Sequence, residues 1–535
     1  MPTQPDHGLH FINIDPSSVR LRSERIHEVR SHAGRWRWQQ LRQNGEQDGD
    51  TDLGEETHEP DCVENFDKDT AVMTDGEENH HFVSLAKQNS TGRFEYYQHS
   101  STLANGPHVS ILDSFQTAVP SPIPMEFISV NNKYAVSVLW PGLMPQSTTA
   151  SNHAGVSAWF SHSVSHSALH SSMLFGSFSH RRVRVCVRGQ GRFNSEDMKQ
   201  MSLSQQDSIS KINQAIQSPS EGVLDGIILS VLCLANNDTA TNKKVNSSPF
   251  RPPLRSLQWL DVYGSLSPNP IHQQGLAQLV HLKGGLERIE LPGLAAIISF
   301  SSILAASRTL SPPYFPFISL HAGSLTLHDM LDTHTSTMDP SDPLLALQIP
   351  KDMHDVFRAS RLYISLVEAY IDGSPAAEGL GTICDRRNLV QWHIMSLPPA
   401  IPAYHTAAAS GMYGCCRLAL TIFGVGVIFP LPSEIVPLLS LARMLQAHLR
   451  LDAYKAASLA SVGARNVYCW CVVMGGIAAS GSQERGWFVQ ELRFWAVSNF
   501  VGSWEELSTA LHSVLWYGDA CDLAGKEMWA EALNI

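Results

Sequence analysis

The stretch SPSEGVLDGIILSVLCLAN, residues 218–236, carries both a helix start and a helix period. Ser218 and Glu221 stand three residues apart with Pro219 at the first helical position, the spacing in which a hydroxyl and a carboxylate satisfy each other's backbone N–H groups. Leu224, Ile227, Ile228, Val231 and Leu232 then recur at i, i+3, i+4, i+7 and i+8, which gathers them on one helical face. That face is core. The same grammar returns near the other end of the chain in SWEELSTALHSVL, residues 503–515, where Ser503 and Glu506 form the box and Leu507, Ala510, Leu511, Val514 and Leu515 the face.

Between these two stretches the helical period persists. Leu276, Leu279, Val280, Leu286 and Ile289 give a third apolar face, interrupted at Gly284-Gly285. LAAIISFSSILAA, residues 294–306, is apolar nearly all round, as a helix at the centre of a helical stack would be. No alternating pattern is strong enough to build a sheet. The reading predicts an all-α region from about 111 to 535, with Pro-rich connectors at 120–124, 249–253, 312–316 and 398–402.

The composition fits a globular body with an N-terminal portion of another kind. The chain has 535 residues, 43% of them apolar, enough for a sizeable core. Its nine cysteines fall mostly inside apolar runs, which predicts buried reduced thiols and a nuclear or cytosolic protein. The opening residues MPTQPDHGLHFINIDP lack the basic-then-apolar pattern of a signal peptide. No membrane span is expected, because the nearest candidates, Leu418 to Phe429 and Cys469 to Ala479, fall short of the roughly 18 to 20 apolar residues required.

The net charge of −12 is a local property. Between Glu46 and Glu78 fourteen acidic residues face only Lys68, whereas residues 20–42 hold seven arginines against Glu24 and Glu28. A like-charged segment poor in large apolar residues cannot offset a chain entropy of about 1 to 2 kcal/mol per residue, so 46–110 is expected to be a disordered acidic segment. Residues 1–45 are expected to contain a basic helix, because Asp15-Pro16-Ser17-Ser18 supplies a start and SVRLRSERIHEVRSHAGRWRWQQLR has no proline.

Several pieces, taken in order, resemble one family. ILDSFQTAVPSPIP, ALHSSMLFGSF, ISKINQAIQSPSEGVLDGIILSVLCLAN and HQQGLAQLVHLKGGLERIELPGLAAIISFSSILAA lead into the aromatic-proline cluster Tyr314-Phe315-Pro316-Phe317. RLALTIFGVGVIFPLP, MGGIAASGSQERGWFV, SWEEL and LWYGDACDLAGKEMW follow. Together they resemble the regulatory domain of fungal transcription factors, the helical region that follows the zinc cluster in many fungal zinc-cluster proteins. The resemblance implies a nuclear regulator of transcription, non-catalytic and without a cofactor. Such a protein acts through its helical domain on protein partners or a small effector. An interaction scaffold outside transcription, with a cytoplasmic location, is the alternative.

The departure from the family is at the N-terminus. A binuclear zinc cluster needs six cysteines beginning C-x2-C-x6-C, and the first 185 residues contain only Cys62. Recognition of DNA by the family's usual route is therefore not expected of this chain. What stands there instead resembles a Phe/Ile-rich lead and an Arg-Ser-His element found in some fungal proteins that carry the helical domain alone. Arg30, His32, Arg35, Trp36, Arg37, Trp38 and Arg42 are the candidate contacts for nucleic acid or a partner, since guanidinium groups bind phosphates and indoles stack. The ordinary reading is a solvated basic helix that docks on its own protein or serves nuclear import. The residues leave the choice open.

Other constellations look chemical and read more simply. His162, His166 and His170 would share one helical face, but no carboxylate or cysteine joins them, so no metal site is expected. Ser208-Ile209-Ser210-Lys211 matches the S-x-x-K of acyl-enzymes without its companion motifs, and no catalytic residue is assigned. Cys415-Cys416 and Cys469-Trp470-Cys471 read as buried thiols. Gly189-Gln190-Gly191 and Gly424-Val425-Gly426 lack the setting of a phosphate loop. Trp487, Trp504, Trp516 and Trp529 read as core anchors. The basic stretch 179–198 reads as an exposed loop of unassigned role.

Overall fold

The computed structural model describes residues 121–146, 154–189, 191–217, 221–237, 248–321, 323–332, 342–347, 349–375, 377–399, 407–432, 437–451 and 461–534. The expected basic helix, its candidate contacts Arg30 to Arg42, the acidic segment and the helix-start residue Ser218 lie outside the described residues. Among the described residues every regular element is helical, and the all-α reading is correct.

Among the described residues sixteen α-helices of six residues or more follow one another as α1 (Met125–Tyr134), α2 (Ala154–Ser165), α3 (Ser167–Arg188), α4 (Ser195–Ile216), α5 (Glu221–Asn236), α6 (Pro270–Lys283), α7 (Leu294–Thr309), α8 (Leu327–Asp332), α9 (Lys351–Ile371), α10 (Leu380–Ser396), α11 (Ala407–Phe423), α12 (Leu438–Leu449), α13 (Val462–Ala478), α14 (Arg485–Ser498), α15 (Trp504–Val514) and α16 (Gly518–Leu533). Short helical turns join some of them, among them a π-turn at Ala135–Leu139 that runs on from α1 into Trp140–Leu143. The π-turn precedes Pro141, which has no N–H to give and would crowd a regular turn.

The predicted faces are buried. On α5, Ile227, Ile228, Val231 and Leu232 lie in the core, and Leu224 packs against it. On α15 the capping box of Ser503 and Glu506 is formed, with Leu507, Leu511, Val514 and Leu515 buried beneath. α6 stops where the two glycines stand. Gly284 at φ 95° and Gly285 at φ 102° hold a conformation other residues adopt with strain, and the chain then turns Leu286 back into the core. α7 is buried on all sides.

The stretch 179–198 is not the exposed loop its sequence suggests. Residues 179–188 complete α3, with Ser179, His180 and Val183 buried, and Gly189 caps the helix in the left-handed region. The arginines are held against other elements. Arg188 makes a two-pronged pair with Asp261 at 2.7 and 2.8 Å, Arg181 reaches Asp197, and Arg184 and Arg188 lie over the Trp259 ring. Cationic side chains whose stems cover aromatic rings take the place of aliphatic residues, so the hydrophobic period vanishes while the helix continues. Asn194 and Asp197 then open α4 with a capping box.

A polar pin crosses the middle of the body. Asp385, Arg386, Arg387 and Asn388, four successive residues of α10, are all buried. At about 100° per residue they point four ways. Asp385 accepts from Ser319 Oγ and the backbone N–H groups of Leu320 and His321, and Arg386 pairs with Glu378 at 2.6 Å. Arg387 donates to the Leu257 carbonyl and to Gln258 Oε1, with its guanidinium over Phe429 at 5.1 Å. Gln258 and Trp259 both hold positive φ, 58° and 55°, and this network fixes them there.

Candidate functional site

A concavity lies where the segment after α1 meets α2, α3, α5 and α7. Leu139, Trp140 and Leu143 come from the first, Trp159 from α2, Met173 and Gly176 from α3, and Ile297, Phe300, Ser301 and Leu304 from α7. The end of α5 supplies Leu229, Leu232, Cys233, Asn236 and Asn237, and Tyr263 closes the wall. The concavity holds about 550 Å³ of space between atoms, part of it open to solvent, and its lining is mostly apolar.

The walls are held from outside. Trp159 donates to the Pro292 carbonyl at 2.9 Å and meets Trp140 edge to face. Trp259 donates to the Leu139 carbonyl at 2.8 Å, which fixes the segment between the π-turn and Pro141. Behind this wall the hydroxyl of the half-buried Tyr134 and Nδ1 of the buried His180 lie 2.8 Å apart.

The polar end is small. Ser301 Oγ donates to Asn236 Oδ1 at 2.8 Å. Asn237 Nδ2 donates to the Cys233 carbonyl at 2.7 Å, which orients the amide, and its Oδ1 is buried with no partner among the described residues. Burial pushes the Cys233 thiol up to about 12 and raises Tyr263 well above the usual phenol range, so both stay protonated at neutral pH. The cavity therefore offers apolar surface, a few neutral hydrogen-bonding groups and no nucleophile or base poised to react. It can bind.

The residues singled out by pattern fall elsewhere. His162 and His166 stack at 4.2 Å, but the helix breaks at His166, whose φ of −123° and ψ of 103° are extended, and His170 belongs to the next helix. Serine side chains near the break bond back to carbonyls, as Ser165 does to His162, which competes with a continuous helix. The three rings thus do not form the single face that their spacing suggests, and no group of ligands able to hold a metal occurs among the described residues.

In the S-x-x-K match, Ser208 Oγ lies 2.5 Å from Ser172 Oγ, and the Lys211 ammonium is engaged by Asp207 at 2.6 Å and Ser171 at 3.0 Å. That is a polar clasp between α3 and α4. Cys415, Cys416, Cys469 and Cys471 are fully buried, as read from the sequence, and burial raises the thiols of Cys415, Cys469 and Cys471. Gly424 and Gly426 sit in a π-turn that extends α11, where Gln391 and Phe250 leave no room for side chains. Trp516 and Trp529 are buried, and Trp487 and Trp504 pack against the core.

Sequence reasoning did not find the cavity. Its one signal is the pair Asn236-Asn237 at the end of an otherwise apolar helix, which looks like an ordinary exposed terminus until α7 is placed beside it. No helix among the described residues is long and apolar enough to cross a membrane. No protein family, curated protein or solved structure matches this chain.

Proposed function

We propose that this chain is a transcription-factor-like regulatory protein of the nucleus. It has no catalytic activity, its helical body responds to a small effector or a protein partner, and DNA recognition is supplied by another protein. One observation carries the reading. The cavity between the helices is lined by groups that stay neutral, which suits reversible binding better than acid, base or nucleophilic chemistry. The run of sequence pieces resembling the fungal transcription factor regulatory domain supplies the biological context.

The test is to fuse the full chain to an unrelated DNA-binding domain and measure transcription from a reporter carrying its sites, with transcript profiles of a deletion strain alongside. A change in the reporter, together with altered transcripts on deletion, is expected. No change in either would end this reading. A separate measurement decides whether the Arg/Trp arm acts on DNA. Binding of the full chain and of a version lacking residues 1–45 to mixed duplex DNA across a salt series would show a steep salt slope, removed by truncation, if the arm neutralises phosphates.

A second reading, an interaction scaffold outside transcription, is favoured by the exposed apolar residues Phe494, Val497 and Phe500 at the end of α14, where Phe500 is 94% exposed. A cytoplasmic location with unchanged transcripts would select it.

A further inference from the structure

The polar end of the cavity is asymmetric. Asn236 and Ser301 satisfy each other, whereas Asn237, only 4% exposed, has spent its NH2 group on the Cys233 carbonyl and keeps Oδ1 without a donor among the described residues. The hydrogen bond from Nδ2 fixes which end of the amide is which, since the reverse orientation would set two oxygens against each other. A buried acceptor left without a donor is costly, and a ligand that supplies one removes that cost with the bond it makes. Trp140, Trp159, Leu229, Phe300 and Leu304 offer only apolar surface and ring edges, and no ionised side chain lines the space. A ligand that brought a charge would bury it unpaired.

We propose that this cavity binds a neutral, mainly aliphatic molecule with one hydroxyl or N–H donor, and that the donor bonds to Asn237 Oδ1 while the aliphatic part lies between α3, α5 and α7. The ligand class rests on the reading of the cavity as an effector site. It adds what that effector must look like. The mostly apolar lining selects an aliphatic body, and the unpartnered acceptor selects one donor at one end.

The experiment uses the purified full chain and four probes of equal chain length: 1-octanol, octane, octanoate and octylammonium. Trp140 and Trp159 line the cavity, so intrinsic fluorescence reports entry, and calorimetry gives the affinity. Octanol is expected to bind about tenfold more tightly than octane, the worth of one hydrogen bond to an unpaired buried acceptor. The two charged probes are expected to bind about a hundredfold more weakly than octanol, or not at all. Asn237→Leu should abolish the preference for octanol over octane. Leu304→Phe, which fills the space from α7 and leaves Asn237 in place, should weaken both while melting at the wild-type temperature. Equal binding of octanol and octane to the wild type, binding untouched by Leu304→Phe, or tightest binding by a charged probe each overturns the proposal, and so does failure of all four probes to bind. The regulatory reading is judged separately. A chain that binds none of these probes and still alters the reporter loses only the ligand class, and a chain that binds octanol without any effect on transcription loses only the regulatory role.

Discussion

α7 and residues 467–478 of α13 are both buried on nearly every side, and they are packed in opposite ways. α13 lies among α11, α12, α14, α15 and α16 with no space to spare. Gly475 and Gly476 face Phe488 and Met528 so closely that a Cβ would collide with the ring and with the sulfur. α7 is as completely covered, yet it leaves the cavity between itself, α3 and α5. At α13 small residues on one helix meet large ones on the next, and the sizes interlock. At α7, Ser301, Leu304 and Phe300 face Gly176, Leu229 and Asn237, and nothing large enough reaches across. Burial alone therefore does not imply a filled interior. Close packing is the rule in cores, and a departure from it beside an unpaired acceptor points to binding.

The contrast breaks most visibly if the filled side is emptied. Trp470, on α13, is fully buried, sits edge-on to Phe357 at 5.4 Å and donates to the Leu515 carbonyl at 2.5 Å. Trp470→Ala would open a void at a site that cannot collapse and strand that carbonyl, at a cost of about 4 kcal/mol. Denaturant unfolding monitored by far-UV circular dichroism measures it. A loss near 1 kcal/mol would mean that α13 is packed no better than α7.

Next in size is the polar pin of α10. Arg387→Leu would remove the donor from the Leu257 carbonyl and Gln258 Oε1 and release the strained backbone at Gln258 and Trp259, a loss of about 3 kcal/mol. Trp259 also holds the cavity wall through the Leu139 carbonyl, so the same variant should loosen ligand binding. An unchanged midpoint would show that the network adds nothing to stability.

That pin also marks the limit of what the sequence could tell. The apolar faces of α5 and α15, the all-round burial of α7 and the glycine stop after α6 were legible because hydrophobic period and turn chemistry are local. Asp385-Arg386-Arg387-Asn388 reads as a solvated patch because the partners that bury it, at 257–258, 319–321 and 378, are distant in sequence. The arginines of α3 misled for the same reason, since Trp259 and Asp261 supply the surface they cover. The cavity was hidden most deeply. An empty volume has no residue of its own, and Asn237 becomes conspicuous only when every neighbour is known.

The cavity side also carries buried histidines. Burial holds His170 and His272 down at about 4 and His180 at about 3, so each is neutral in the folded protein well below the pH at which it charges when unfolded. The unfolded chain takes up these protons first. Their effect on stability is nil above about pH 6.5 and becomes a loss as the pH falls from there toward 4, approaching 1.4 kcal/mol per pH unit for each histidine. His272→Gln should make the fall in unfolding free energy between pH 6 and 4.5 shallower by about that amount per unit. An unchanged slope would mean that this imidazole charges within the fold.

The finest test adds one methyl group to each side. Gly176 lies within α3 and Gly475 within α13, so alanine at either position gains about 0.5 to 1 kcal/mol from the stiffer unfolded chain and better helix propensity. What differs is the space each Cβ enters. At Gly176 the nearest atoms, Asn237 Nδ2 and the Cys233 sulfur, would be 3.7 and 3.8 Å away, an ordinary contact at the edge of an empty volume. Gly176→Ala should therefore keep the gain and raise the melting temperature slightly. At Gly475 the methyl would meet the Phe488 ring, which is fully buried and cannot retreat, and overpacking of this kind costs about 1 to 3 kcal/mol. Gly475→Ala should give a net loss in spite of the same propensity gain. Opposite signs for one substitution in two buried helices would show that the space seen beside α7 is real in solution, and the same sign in both would show that it closes.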